Sequence, residues 1–411
     1  MYRGEGMSST QTESVSDVQR WRADTPGCAA LVHLNNAGAS LVPRPVSEAV
    51  VRHLALEATL GGYEAAEAMV DALQDAYDAV GQLIGARGRN SAMAQNSTVA
   101  YTQALSAFDF APGDTILTTR NDYASNQITF LSLAQRRGVE VLHADELPEG
   151  GVDPDSVKRY VARRKPKLVA VTWVPTNSGL VQDVVAIGTI CEDAGVPYLV
   201  DGCQAVGQLP VDVARVRCDY LAATGRKFLR GPRGIGFLFA SDRVLAAGAH
   251  PLLVDMHGAT WVRPDAFELA PDAQRFETWE TASSLTLGLG AAARYALGVG
   301  IDVAKARARE LAALARERLS RVPGVRVLDR GRELCAIVTV ALEHADPVEV
   351  KLELRRRGIN TSSASRTAAV IDMDAKGAAA ALRISPHYYN TADEIVRAVE
   401  ELEVVLSELR A

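Results

Sequence analysis

The stretch PYLVDGCQAVGQLPVDVARVRCDYLAATGRKFLRGPRGIGFLFA, residues 197–240, decides the fold. It holds three short apolar runs, at 197–201, 220–223 and 236–240, without regular polar and apolar alternation. A strand buried on both faces has this pattern, whereas a half-exposed strand alternates. Toward the N-terminus, equivalent runs rich in Val, Ile and Leu lie at 115–119, 139–143 and 168–174. Segments of helical period, 125–136 and 183–194, fall between them. Strands alternating with helices predict an α/β domain over residues 93–240, with a mostly parallel sheet and helices on both faces. The last run follows the glycine-rich GPRGIG at 231–236 and is free to run antiparallel.

The flanks read differently. Residues 45–58 and 70–84 have helical period, the second with Val70, Leu73, Tyr77, Val80 and Ile84 on one face. After residue 295 a long helix carries Leu311, Ala315 and Leu319 on one stripe, and Pro323-Gly324 ends it. Strands at 325–328 and 336–341 follow. A capping box, Thr391 to Glu394, opens the last helix. These pieces predict a smaller C-terminal α+β unit. The expected organisation is a flexible tail over 1–30, a large domain over 31–295 whose first part helps build the small one, and a small domain over 296–411.

Composition narrows the function. The chain has 411 residues, enough for two or three packed units, with 48% hydrophobic and 23% charged residues. A net charge of −6 gives nucleic acid no basic footprint. No apolar run approaches the roughly 18 residues of a membrane span, and the first 20 residues lack the apolar core of a secretory signal. The five cysteines are scattered with no CxxC spacing, so the expectation is reduced, buried thiols in a cytoplasmic enzyme. The seven histidines show no metal-binding spacing, and no metal site is expected. No GxGxxG opens a helix after a first strand and no GxxxxGK[ST] occurs, which disfavours nucleotide binding.

Chemistry gathers at the carboxyl ends of the predicted strands, where open α/β sheets bind ligands. Asp201 ends one run, Thr224-Gly225-Arg226-Lys227 follows another, and Asn96-Ser97-Thr98 precedes a helical stretch at 99–107. Hydroxyls and free N–H groups at a helix N-terminus suit a phosphate. A lysine, a carboxylate and a phosphate cradle are together the kit for pyridoxal 5′-phosphate (PLP). The lysine forms a Schiff base, the acid keeps the pyridine nitrogen protonated, and the cradle holds the phosphate. Only seven lysines occur, and the other six sit in charged runs or surface helix patterns, leaving Lys227 as the candidate.

Residues 200–239, with LNNAG at 34–38 and LRISPHYYNTADEI at 382–395, resemble class V aminotransferase-fold PLP enzymes. That group includes cysteine desulfurases, isopenicillin N epimerase-like proteins and hercynylcysteine sulfoxide lyases. The resemblance implies fold type I, with a mostly parallel sheet of the seven-stranded type. It implies that Lys227 links to PLP, that Asp201 pairs with the pyridine nitrogen and that Gln204 bonds the phenolic oxygen. Ser97, Thr98, Thr224 and Arg226 would hold the phosphate. Tyr123, in NDYASN, stands where many desulfurases stack a histidine on the ring, and is grouped with Lys227 and Asp201 as catalytic. Arg383 matches the arginine that clamps the substrate carboxylate, and Asn177, in PTNSG, would lie near the substrate. RFETWETAS at 275–283 is similar to a segment reaching the neighbouring subunit's phosphate, through Thr281, which implies a homodimer with shared sites.

One departure bears on the reaction. Cysteine desulfurases carry a nucleophilic cysteine shortly before the carboxylate-binding arginine, and residues 358–385 here contain none. Without a mobile thiolate no protein persulfide forms. The expected activity is therefore a C–S β-lyase acting on a cysteine S-conjugate or its sulfoxide. GGYEAAEAM at 61–69, similar to a stretch of hercynylcysteine sulfoxide lyases, favours it. Epimerisation or transamination of an amino acid is the alternative. A catalytically silent scaffold would not need Lys227, Asp201 and Arg383 together. Arg366 reads as a solvated loop residue or as a second anion contact.

Overall fold

The computed structural model describes residues 15–409. Its centre is a seven-stranded sheet of β1 (Ser91–Ala94), β2 (Thr115–Thr118), β3 (Glu140–His143), β4 (Leu168–Thr172), β5 (Tyr198–Asp201), β6 (Tyr220–Thr224) and β7 (Gly236–Ala240), in the order β1-β7-β6-β5-β4-β2-β3. Pairs β2–β3, β2–β4, β4–β5 and β5–β6 are parallel, and β7 runs antiparallel to both β6 and β1. The expected mostly parallel sheet, with its antiparallel last strand, is the one observed.

The apolar runs are continuous because successive side chains enter two separate cores. Leu117, Val169, Val171, Val200 and Leu221 join the core on one face. Their neighbours Ile116, Leu168, Ala170, Leu199 and Tyr220 join the core on the other. At ~1.5–3 kcal/mol for each fully buried large aliphatic side chain, these faces supply much of the driving force for folding.

The second unit is a four-stranded antiparallel sheet of β8 (Val325–Val327), β9 (Val338–Leu342), β10 (Ser362–Ser365) and β11 (Ala380–Ile384), in the order β8-β9-β11-β10. Helices Ile301–Leu319, Pro347–Arg356 and Ala392–Glu408 accompany it, and the Thr391–Glu394 capping box is fully formed. The boundary expected after residue 295 falls inside helix Ser283–Val299. That helix meets Ile301–Leu319 at 79°, and the break is at Gly300, whose φ of +87° suits glycine. No single helix among the described residues is long and apolar enough to cross a membrane.

The flexible tail expected over 1–30 needs correction. Residues 1–14 lie outside the described residues, but Val15–Ala23 is a helix and Trp21 is buried, packed edge-on against Tyr388 at 5.1 Å. The anchor is Arg230, a buried cation three residues beyond Lys227. It donates to Thr25 Oγ1 at 2.5 Å, Tyr388 Oη at 2.7 Å and the Leu41 carbonyl at 3.0 Å, and lies 4.3 Å from the Tyr389 ring centroid. A guanidinium in such surroundings is held by donors to oxygen and by ring faces rather than by a carboxylate. The amino-terminal arm also joins the small unit, since Val32–His33 pairs in parallel with Ile359–Asn360.

Candidate active site

The carboxyl ends of β1, β2, β4, β5 and β6 lie along one edge of the sheet, where residues of the small unit meet them. On one side, Asn96 caps helix Ser97–Ser106, its side chain accepting from Val99 N at 3.0 Å. Ser97 is buried and Thr98 exposed in the first turn, where backbone N–H groups lack intrahelical partners. Gly236 lets this turn sit against β6 and β7. A Cβ there would meet the Ala223 carbonyl at 2.5 Å and Ser97 N at 3.1 Å. Thr224 is the register partner of Gly236, so Ser97 and Thr224 flank one spot, as a phosphate cradle requires.

Lys227 follows on the turn after β6. It is buried and its Nζ lies 5.8 Å from the Tyr123 ring centroid. Burial holds its amine below the usual lysine range, and Arg226 and Arg383 push the same way, against the opposing pull of Cys203 and Asp201. An amine that is readily uncharged is what a covalent-linking lysine and a proton acceptor both need.

Asp201 closes β5 with both oxygens fixed. Oδ1 accepts from Cys203 N and Oδ2 from Asn126 Nδ2, each at 3.0 Å. Gln204 donates from Nε2 to the Ala37 carbonyl at 3.0 Å and to Thr176 Oγ1 at 3.1 Å, while its Oε1 is buried without a partner. Arg383, on β11, donates to the Thr176 carbonyl at 2.9 Å, Thr176 Oγ1 at 2.8 Å and Asn35 Oδ1 at 3.3 Å. Its Nε is buried and unpartnered, and it makes no ion pair among the described residues. Burial and the neighbouring Arg226 push its guanidinium down to about 10, so this cation favours a carboxylate partner.

The orphaned Gln204 and Arg383 atoms, the depressed Lys227 amine and the capped helix beside Thr224 fit PLP and an amino acid. In that fit Ser97, Thr224 and the first-turn N–H groups would take the phosphate, Asp201 the pyridine nitrogen, Gln204 the phenolic oxygen and Tyr123 one ring face.

The remaining residues are placed as follows. Arg226 donates to the Gly38 carbonyl, turning its head toward the amino-terminal loop and Arg383. Asn177 is buried and its amide is committed to Asp372 Oδ2 at 2.5 Å, a carboxylate also paired with Lys376 at 2.7 Å. Thr281 is exposed. Arg366 is half-exposed and paired with Asp374. Sequence reasoning missed Thr176, which serves both Gln204 and Arg383, and missed Asp122, Asn126 and Thr172 behind Asp201. The only signal for the last group was the spacing of Asp122 and Asn126 around a turn of helix, in NDYASN.

A family model described as Aminotransferase class-V matches residues 32–398. The probable hercynylcysteine sulfoxide lyase of Mycobacterium tuberculosis (strain CDC 1551 / Oshkosh) is 31% identical over 408 residues, covering 97% of this chain and 96% of that protein. The probable cysteine desulfurase of Methanothermobacter thermautotrophicus is 28% identical over 391 residues, covering 93% and 97%. Among solved structures, the Escherichia coli cysteine desulfurase CsdA superposes with a TM-score of 0.87 at 23% identity, over 96% of this chain and 100% of that one. A C-DES mutant with glycine covalently linked to the PLP cofactor gives 0.83 at 20%, over 93% and 98%. These structures share the fold.

Proposed function

The chain belongs to the class V aminotransferase family of PLP enzymes, and from that premise we propose that it is a C–S β-lyase. Its substrate is a cysteine S-conjugate or the corresponding sulfoxide. The net reaction takes the conjugate and water to a thiol, pyruvate and ammonium; a sulfoxide yields a sulfenic acid in place of the thiol.

PLP, when bound, supplies the electron sink for the pair left at Cα. The residues of the chain do the rest. Arg383 would bind the α-carboxylate and so orient the amino acid in the site. Lys227, as an uncharged amine, takes the Cα proton, and its depressed basicity favours that form. Asp201 holds a proton at the pyridine nitrogen. Tyr123 covers one ring face and sheds water from it. The Cβ–S bond then breaks, the sulfur leaves with its bonding pair, and the 2-aminoacrylate released is hydrolysed to pyruvate and ammonium.

The observation that carries the lyase reading is the segment 358–385. It has no cysteine, and its Asp372, paired with Lys376, takes the Asn177 amide. The cysteine inside the cleft, Cys203, is no substitute, because burial and Asp201 push its thiol up to about 12. Cys335 is buried and pushed up to about 12 as well. The relative named as a hercynylcysteine sulfoxide lyase supports the same reading. Five free thiols support a reducing location, the cytoplasm.

The test is to give the PLP-loaded enzyme S-conjugates, their sulfoxides and free cysteine while following pyruvate, ammonium and the visible spectrum. Pyruvate equal to the conjugate consumed, and unaffected by Cys335→Ser, is expected. Alanine and a protein-bound persulfide from free cysteine would make the enzyme a desulfurase. Spectral change without pyruvate would move it to epimerase or aminotransferase.

We also propose a homodimer with shared sites. Leu252, Leu253, Met256, Trp261 and Phe267 are all more than half exposed, on and beside the hairpin Ala259–Arg263/Ala266–Leu269, shortly before the exposed Thr281. An apolar surface of this kind marks an interface.

A further inference from the structure

Behind Asp201 lies a second buried acid. Asp122 is 2% exposed and sits just past the end of β2. It accepts from Thr118 Oγ1 at 2.5 Å through Oδ2, and from Tyr123 N at 2.6 Å, Asn126 Nδ2 at 3.0 Å and the Thr172 hydroxyl through Oδ1. The same Asn126 nitrogen donates to Asp201 Oδ2 at 3.0 Å. One amide thus bridges two buried carboxylates. Thr172 and Asp201 are register partners on β4 and β5, so the bridge lies across neighbouring strand ends.

This arrangement does two things that packing alone does not demand. It fixes the plane of Asp201, because Asn126 Nδ2 holds Oδ2 while Cys203 N holds Oδ1, leaving a lone pair on each oxygen for a donor. It also sets a second carboxylate close behind the first, adding negative charge on the side of Asp201 away from the ligand. A carboxylate that must keep a pyridine nitrogen protonated gains from both. Asp122 further fixes the backbone N–H of Tyr123, and so the ring that covers the cofactor.

We propose that Asp122 and Asn126 are positioning residues that set how firmly Asp201 holds the cofactor's pyridine proton, Asn126 by orienting the carboxylate and Asp122 by its charge. The inference rests on the PLP assignment and not on which bond the enzyme breaks. Burial pushes Asp122 up to about 6 in spite of its donors, a perturbation of the kind that clusters at functional sites.

The test uses the holoenzyme and its apo form, with wild type, Asp122→Asn, Asn126→Leu, the milder Asn126→Ser, and the double variant Asp122→Asn/Asn126→Leu. Two quantities are read: the dissociation constant for PLP, and the pH midpoint of the cofactor's visible absorbance change. Each single variant is expected to weaken PLP binding by about tenfold, the worth of a hydrogen bond to a charged group, and to move the midpoint to lower pH. The double variant should be little worse than the weaker single, because both act through Asp201. Wild-type affinity and midpoint in Asp122→Asn and Asn126→Ser would overturn the inference, as would a double variant whose losses multiply. A change in apo unfolding temperature with no change in midpoint would reduce these residues to packing and overturn it too. Failure of the wild type to bind PLP at all would overturn the cofactor assignment, a different result from normal binding by every variant.

Discussion

Lys227 and Tyr123 face each other across the cleft, with the lysine nitrogen 5.8 Å from the centre of the tyrosine ring. Tyr123 is placed by its backbone, whose N–H is held by Asp122, and its ring therefore faces the amine without needing its hydroxyl. Many desulfurases have a histidine at this position, which the resemblance equates with Tyr123. A phenol ring keeps the stacking surface but gives up imidazole proton transfer near neutral pH.

Stacking and proton transfer can be separated here. Tyr123→Phe is expected to keep PLP affinity and most pyruvate formation. Tyr123→Ala should lose roughly tenfold or more in affinity, the worth of a ring stacked on a ring. A Tyr123→Phe enzyme that binds PLP normally but turns over at least a hundredfold more slowly would make the hydroxyl an acid–base group. That result would favour epimerisation.

The sheet was legible because its strands are buried on both faces, and a run such as 198–201 has no other use. The ligand edge was legible for the same reason, since Asp201 and the Thr224–Lys227 turn punctuate such runs. What escaped is polar and long-range. Thr176 reads as an ordinary turn residue until Arg383, 207 residues later, lays its guanidinium on it. Arg230 reads as a loop charge, and only the folded arm around Trp21 and Thr25 makes it a buried anchor. Asn177 resembles a substrate ligand in sequence, but Asp372 arrives from the small unit and takes its amide. Period and spacing report burial; they do not report which polar groups meet across units.

Arg383 and Arg366 offer opposite expectations. Arg383 is buried with an unpartnered Nε in the cleft, so Arg383→Lys should raise KM for amino acid substrates by about tenfold to a hundredfold, with a smaller change in kcat. The loss should vanish for a substrate amide lacking the carboxylate. Arg366 is spent on Asp374 at the surface, so Arg366→Ala should leave KM unchanged across substrates of different charge. A KM rise confined to acidic substrates would restore its role as a second anion contact.

The raised pKa of Asp122 also has a stability consequence of definite sign. Its folded value, about 6, exceeds the 3.8 of an unperturbed aspartate, with burial the main cause and the Asp201 charge adding to it. A raised folded value stabilises the fold fully below the unfolded value and loses that contribution as pH rises through about 6. Tyr101, whose buried hydroxyl has no partner, also faces both carboxylates and stays neutral over this range. The apo wild type should therefore lose stability against apo Asp122→Asn between about pH 4 and pH 7. Denaturant melts at several pH values measure this directly, and parallel pH profiles for the two proteins would refute it.

The oligomer prediction couples assembly to the site. If the face around Leu253 and Trp261 pairs with a second copy, the wild type sediments at twice the 43.9 kDa chain mass. An aspartate at a central apolar position must then be desolvated, so Leu253→Asp or Trp261→Asp should weaken the dimer by at least ~30-fold, as for an interface hot spot. Both side chains are more than three-quarters exposed in the single chain, so neither substitution removes core packing, and the monomer should unfold at an unchanged temperature. The decisive comparison is with Thr281→Ala. If Thr281 reaches the partner's phosphate, this substitution weakens PLP binding in the dimer and has no effect once Trp261→Asp has separated the subunits. Equal losses in dimer and monomer would place Thr281 in its own subunit's site, and a dimer indifferent to both aspartates would move the interface to another face.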